Sequence, residues 1–493
     1  GYDHADLETV EGVLGEAARF MEEQLVPLNQ RGDQEGLVVE NGQIFHPDGF
    51  TDAYARFVEA GWNGIALEES HGGGGMPGCV GLAVQEMMTA SNMAFSLCPL
   101  LTQGAIDAIS HHASETLQEI YLPKMVSGEW SGTMNLTEPH AGSDVGALTT
   151  KAVPREDGAW LISGTKIFIT YGEHELSENI IHLVLARTPD APPGTKGISL
   201  FIVPKYLVND DGSLGERNDL RVVSSEHKIG IHASPTCVMS YGDESGAVGW
   251  MVGEEGRGVR TIIEMVATTR YDCMIGSSSG MRQATAQAIH HASNREAFGA
   301  RLSEQPLMQN LLADLALESE AAMTYMMRVA RAMDNQDNEH EKLLSRIATP
   351  VGKYWICKRT PNHAYEAMEV IGGSGVMENH IMPRLFRESP VNAIWEGSGN
   401  VQCLDILRAI EKQPEVLDAY FAELQRAKGA DKRLDQFMIK LKEEFSNSKA
   451  LQYRARTIAD SMAVGLQAAL LVQHATPEMA DAFCAGRLDV NGG

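Results

Sequence analysis

Basic residues are scarce. Forty Lys and Arg stand against 66 Asp and Glu, a formal charge of −26. That balance argues against nucleic acid or another polyanion as the primary partner, although a local basic groove stays open. Cysteine is sparse too: seven residues, odd in number, widely spread, with no CxxC or Cys/His zinc spacing. Neither a disulfide framework nor a structural metal site fits this pattern, so no metal is expected. Reduced, packed thiols are expected instead, as in a cytoplasmic or organelle-matrix protein. No uninterrupted run of about 18 apolar residues occurs, so no membrane span is expected. No charged-then-apolar leader pattern follows Gly1, and none is expected. No period of roughly 20–50 residues repeats, which excludes a solenoid.

What is present is a large apolar fraction. With 43% hydrophobic and 22% charged residues in 493, the chain can bury two or three cores and is too apolar for disorder. Leu7, Val10, Val13, Leu14, Ala17, Phe20 and Met21 recur at three/four spacing, which predicts a helix over 5–27. Further helices are predicted over 50–60, 81–89 and 114–124. The run His71-Gly-Gly-Gly-Gly-Met76 lacks the Gly-Lys-Ser/Thr of a phosphate loop, so it reads as a flexible turn. From 131 to about 247 the period falls to two and β-branched residues crowd in, which predicts an antiparallel barrel or sandwich. After 258 long helices return, over 259–294, 307–335, 338–371 and 401–410, enough for a bundle. Residues 416–493 read as a further helical segment with ten basic and ten acidic residues.

Several motifs carry chemistry. Thr137, Gly142 and Ser143 lie in a turn of small residues that lets backbone amides and hydroxyls approach a flavin or phosphate; an ordinary Asx-type turn reads the same way. Phe168 alternates with Ile167 and Ile169, so it either covers a ring or packs the β domain. Arg295 suits a diphosphate by its forked donors, or is a solvated helix-end arginine. Gly372, Gly373 and Gly375 admit a phosphate close to the backbone or simply end a helix. Glu396, flanked by Trp395 and Gly397, is a candidate general base if desolvated and a surface loop residue otherwise. The pairs His111-His112 and His290-His291 point apart on a helix and are not ligand candidates.

Taken in order, Leu136-Thr-Glu-Pro-His-Ala-Gly-Ser-Asp144, Ile167-Phe-Ile-Thr170, Asn294-Arg-Glu-Ala-Phe-Gly299, Val370-Ile-Gly-Gly-Ser-Gly375 and Ile394-Trp-Glu-Gly-Ser-Gly-Asn-Val401 resemble the acyl-CoA dehydrogenase flavoprotein family over residues 1–415. The first half, with Met134-Asn-Leu-Thr-Glu-Pro139 and Ile169-Thr-Tyr-Gly-Glu-His174, resembles its 3-methylmercaptopropionyl-CoA dehydrogenase branch. The second half resembles the AidB branch, with Thr269-Arg-Tyr-Asp-Cys273, Trp355-Ile-Cys-Lys-Arg359 and Pro390-Val-Asn-Ala-Ile-Trp-Glu-Gly-Ser-Gly-Asn400.

The resemblance implies an α+β multidomain fold: an N-terminal helical domain (1–129), a central antiparallel β domain (130–247), a four-helix bundle (248–415) and a helical extension (416–493). It implies FAD, with Met134, Leu136, Thr137, Gly142, Ser143, Phe168 and Thr170 on the flavin side. Arg295, Phe298, Glu369, Gly372 and Gly373 would serve the pyrophosphate and adenine half, Arg295 and Phe298 from a neighbouring subunit, with Ser398 and Asn400 also on the cofactor. Ser143, Arg270, Trp395 and Gly397 would meet the acyl-CoA. Glu396 would remove the α-proton, its backbone N–H and a flavin ribityl hydroxyl holding the thioester carbonyl, while the β-hydride passes to flavin N5. The alternative position for the base in this family holds Thr269, which closes that route. Departures are Glu369 where Gln is usual, Pro306 where Gln is usual, and Trp395 where Tyr is common; the first two are shared with the AidB branch. A homodimer or dimer of dimers is implied, with an electron-transfer flavoprotein as oxidant. Two other functions stay open: an AidB-like protective or lipid/nucleic-acid-binding flavoprotein with weak dehydrogenase activity, and an acyl-CoA oxidase.

Overall fold

A computed structural model describes residue 2, residues 4–446 and residues 450–488. The chain forms two compact units, Gly1–Thr269 and Arg270–Gly493.

The first unit opens with helix Leu7–Phe20, capped by the Asp6 carboxylate, which accepts from the Thr9 N–H at 2.8 Å. A π turn, Met21–Leu25, passes it into Val26–Glu35, so the predicted helix runs on past residue 27. Helices Phe50–Glu59, Gly78–Ser91 and Glu115–Ser127 follow where periodicity placed them. The twenty-residue helix Met93–His112 has no counterpart in the sequence reading. It is apolar on nearly every face and contains Pro99, so no amphipathic period marks it. By length and composition it and Leu451–His474 pass as membrane spans, but 78% and 72% of their apolar windows are buried within the protein. Both are core helices.

The β region forms one eight-stranded sheet in the order Leu220–Ser225, Thr236–Tyr241, Trp160–Thr170, Ala247–Val252, Ile198–Pro204, Asn179–Arg187, Trp130–Asn135. Strand Lys151–Pro154 pairs with both Trp160–Thr170 and Asn179–Arg187. The sheet is antiparallel, as expected, except that Trp130–Asn135 runs parallel to Asn179–Arg187, with Met134 opposite Leu183, and Lys151 pairs in parallel with Arg187. The long segment 136–178 supplies the crossover that a parallel pair requires. Strand Asn179–Arg187 is covered on both faces. Ile181, Leu183 and Leu185 pack with Trp130, Leu122 and Met125, while Val184 and Ala186 pack with Ile162, Phe201 and Met239.

In the second unit, the bundle helices are Gly258–Asn294 (which begins in the first unit), Pro306–Met333, Glu339–Ile371 and Gly399–Lys412. Ala284, Ala288, Leu312, Leu315, Met368 and Ile371 fill one of its cores. The C-terminal helices Glu415–Gln425, Lys432–Ser446, Leu451–His474 and Pro477–Arg487 join the same unit. Tyr420, Leu424, Met462 and Leu466 are buried there, and Arg328 bridges Glu341 of the bundle to Glu423 of the extension. All seven cysteines are free thiols; six are buried and Cys79 is partly exposed.

Candidate active site

In the first unit, the buried strand Trp130–Asn135 delivers Met134 and then Leu136 and Thr137 to a turn. Thr137 is tied to the neighbouring strand, its carbonyl accepting from the Ile167 N–H at 2.9 Å. The turn itself is clamped by Glu138. Its N–H and carbonyl exchange hydrogen bonds with Ala141 at 3.0 Å each. Its buried carboxylate accepts from the N–H and hydroxyl groups of Thr149 and Thr150 and from Lys166 Nζ at 2.9 Å. Burial opposes ionisation of Glu138, but Lys166 and the threonine donors overcome it and hold the carboxyl well below the usual range. Gly142 and Ser143 are thereby presented at the surface. Sequence reasoning singled out the small residues of this motif and missed the Glu138–Lys166 pair that shapes it. The signal was there: a Glu inside the motif and a Lys among alternating apolar residues.

Phe168 is set by a bulge rather than by alternation. Cys237 pairs with Ile169 and Met239 with Lys166, so Ile167 and Phe168 together face the single residue Val238. Phe168 takes φ +60° and stands 61% exposed, while Thr170, two residues on, is buried with its carbonyl accepting from Thr133 Oγ1 at 2.6 Å. The alternation read from sequence is broken at this point.

In the second unit, Glu396 lies in the loop between the short turn Val391–Ala393 and helix Gly399–Lys412. It adopts φ +57°, rare for a residue with a Cβ. Gly397 follows at φ +96°, a conformation that favours glycine, and a Cβ there would stand 2.7 Å from Gln402 Nε2. Trp395 donates through Nε1 to Asn392 Oδ1 at 2.9 Å. Arg270 Nε donates to the Glu396 carbonyl at 3.0 Å, and its other arm pairs with Asp405, which also holds Arg346. Lys353 and Gln402, absent from the sequence-derived set, donate to the same loop. Burial pushes the nearby Cys273 thiol well up; the Glu396 carboxylate adds to this and the Lys353 ammonium opposes it. Ser398 is exposed as the N-cap of Gly399–Lys412, and the Asn400 amide oxygen accepts from Arg456 Nε of the extension at 2.8 Å.

Arg295 and Phe298 belong to a small hairpin, Glu296–Ala297 with Ala300–Arg301, in which Arg295 is exposed and Phe298 is 99% exposed at φ +52°. Glu369 is exposed in the last turn of Glu339–Ile371, Gly372 closes that helix at φ +71°, and the space over Gly373 is open. The residues fit a flavin bearing a diphosphate. Each unit leaves an aromatic ring uncovered on strained backbone, and the second adds an exposed guanidinium and open glycines.

Family models for the acyl-CoA dehydrogenase N-terminal, middle and C-terminal domains match residues 8–129, 133–243 and 256–411. Over 469 residues the chain is 36% identical to 3-methylmercaptopropionyl-CoA dehydrogenase of Ruegeria pomeroyi, covering 90% of this chain and 79% of that one. It is 34% identical to AidB of Escherichia coli over 510 aligned positions, covering 100% of this chain and 90% of that one. Among solved structures, ACDH-11 of Caenorhabditis elegans in complex with C11-CoA shares the fold, with a TM-score of 0.80 at 23% identity over 98% of this chain and 87% of that one. The three domain matches in order, together with relatives above 30% identity along most of their length, show that the chain belongs to the acyl-CoA dehydrogenase family of flavoprotein oxidoreductases.

Proposed function

We propose that the protein converts an acyl-CoA thioester to its trans-2-enoyl-CoA and that Glu396 is the base that takes the α-proton. The observation that carries this reading is the setting of Glu396: a half-buried carboxylate between Trp395 and Gly397, on a loop whose backbone is fixed by Arg270, Lys353 and Gln402. A base must meet its proton at hydrogen-bond distance, and a loop held this firmly keeps the carboxylate in one place. FAD, when bound, supplies the acceptor for the β-hydride. Met134, Leu136, Thr137, Gly142, Ser143, Phe168 and Thr170 of the first unit would hold it, as would Arg295, Phe298, Glu369, Gly372, Gly373, Ser398 and Asn400 of the second. Arg295 and Phe298 would do so from a second copy, in a homodimer or dimer of dimers. The Phe168 ring would lie against the flavin and keep water from it. Ser143, Arg270, Trp395 and Gly397 would contact the thioester substrate. An electron-transfer flavoprotein is the proposed oxidant, and the free thiols support a reducing compartment such as the cytoplasm or an organelle matrix.

The test is anaerobic stopped-flow reduction of the holoenzyme by a panel of acyl-CoAs, methylthio-substituted ones included. Glu396→Gln keeps shape and packing, so cofactor and substrate binding should persist while flavin reduction falls by roughly 10²–10⁴-fold. Reduction by the variant at the wild-type rate would place the base elsewhere. If no acyl-CoA reduces the wild type, the AidB-like reading replaces this one.

A further inference from the structure

Left-handed backbone at a residue with a Cβ persists only where its surroundings over-determine it. At Glu396 they do. Lys353 Nζ, from the middle of helix Glu339–Ile371, donates to the Trp395 carbonyl at 2.7 Å and to the Gly397 carbonyl at 2.5 Å. Gln402 Nε2 donates to the Glu396 carbonyl at 3.1 Å and to the Gly397 carbonyl at 3.0 Å. Arg270 Nε takes the Glu396 carbonyl from another direction at 3.0 Å. Three successive carbonyls are thus gathered by one ammonium, one amide and one guanidinium. With its carbonyls pulled toward these donors, the loop has one way to turn, and Glu396 is at its bend.

Lys353 is the unusual member. It is 1% exposed, and among the described residues no carboxylate lies within ion-pair distance of it. Burying an ammonium without a counter-charge is costly, and a core helix such as this one would pack as well with an apolar side chain. Its neighbours Val351, Gly352, Tyr354 and Ile356 are buried and, apart from Tyr354, carry no polar side-chain atom. The charge is spent on two carbonyls that bracket the candidate base. We propose that Lys353 is the positioning residue for the base: acting through the 395–397 backbone, it fixes the direction of the Glu396 carboxylate toward the substrate α-carbon. This rests on Glu396 being the base.

The experiment compares Lys353→Met, which preserves length and bulk but removes the donors, with wild-type holoenzyme. Displacing a reacting group by about 1 Å costs on the order of 10²-fold. Lys353→Met should therefore slow flavin reduction at saturating acyl-CoA by roughly 10–100-fold, while the substrate Kd stays within about threefold and FAD content is unchanged. Amide hydrogen exchange over residues 394–402 should quicken. In a Glu396→Gln background the same substitution should cost less than about threefold, because a residue acting through the base has nothing left to act on. Wild-type reduction by Lys353→Met, an undiminished loss in the Glu396→Gln background, or a loss confined to substrate Kd would each overturn the proposal. If circular dichroism shows that Lys353→Met does not fold, Lys353→Gln, which removes the charge but keeps a polar side chain, is read against the same outcomes. The two readings fail separately: a fast Glu396→Gln enzyme removes the base assignment, whereas a slow Glu396→Gln enzyme with a fast Lys353→Met enzyme removes only the positioning role.

Discussion

Replacing Arg328 with methionine should destabilise the second unit more than loss of an ordinary surface charge would. The guanidinium is 5% exposed and makes four hydrogen bonds: to Glu341 at 2.7 and 3.1 Å and to Glu423 at 2.6 and 3.1 Å. Burial opposes the charge on Glu423, and Arg328 is the main group that overcomes it, holding that carboxyl below its usual range. Without Arg328, two carboxylates remain buried, and removing one partner of a buried pair typically costs about 3–5 kcal/mol. Arg426 at 3.2 Å and His340 at 3.3 Å still attend Glu423, which places the expectation near the lower figure. At about 3 kcal/mol, a unit of this size should lose roughly 6–12 °C in Tm. The assay is thermal unfolding by circular dichroism at matched protein concentration. Because the folded-state pKa of Glu423 is depressed, its stabilisation is present above the unfolded value of about 4.3 and lost as pH falls below it. The gap between variant and wild type should therefore narrow below about pH 4. Adding Glu341→Gln and Glu423→Gln to the variant should recover much of the loss. A Tm within about 2 °C of wild type at neutral pH would refute the reasoning.

Gly73→Ala should destabilise the first unit by about 1–3 kcal/mol in urea unfolding, because the added Cβ would stand 2.2 Å from the Leu67 carbonyl oxygen and backbone would have to move; an unchanged midpoint would contradict the close approach. His174 and His182 are buried, and that burial holds His174 well below its ordinary pKa and His182 down to about 3. Unfolding lets each take up a proton below about pH 6.5, so these two residues together should contribute a fall in stability of about 2.7 kcal/mol per pH unit between roughly pH 6 and 4. Replacing His182 by Asn should reduce the measured slope by about 1.4 kcal/mol per pH unit, and an identical slope would refute it. Native protein should expose one thiol to Ellman's reagent, Cys79, and all seven after denaturation; several fast-reacting thiols in the native state would contradict the packing.

Much of this protein follows from local pattern. Amphipathic spacing placed Phe50–Glu59 and Pro306–Met333 within a few residues, because one polar and one apolar face repeat with the helix period. The family motifs, being contiguous stretches, were legible without any tertiary information. The helix Met93–His112 was not, since a helix buried on all sides carries no period. Nor was the parallel pairing of Trp130–Asn135 with Asn179–Arg187, because alternation marks a strand without naming its neighbour. The His71–Met76 glycines, which read as a flexible turn, are zipped by backbone hydrogen bonds to residues 64–68, a contact visible only in three dimensions. At the candidate site, Glu396 could be picked out by its flanking Trp395 and Gly397. What holds it could not: Lys353 lies 43 positions away in sequence and meets the loop only after the helices pack. Local sequence decides which residues carry the chemistry because their identity is covalent. Their geometry comes from donors and acceptors brought together by burial, and only the tertiary structure decides it.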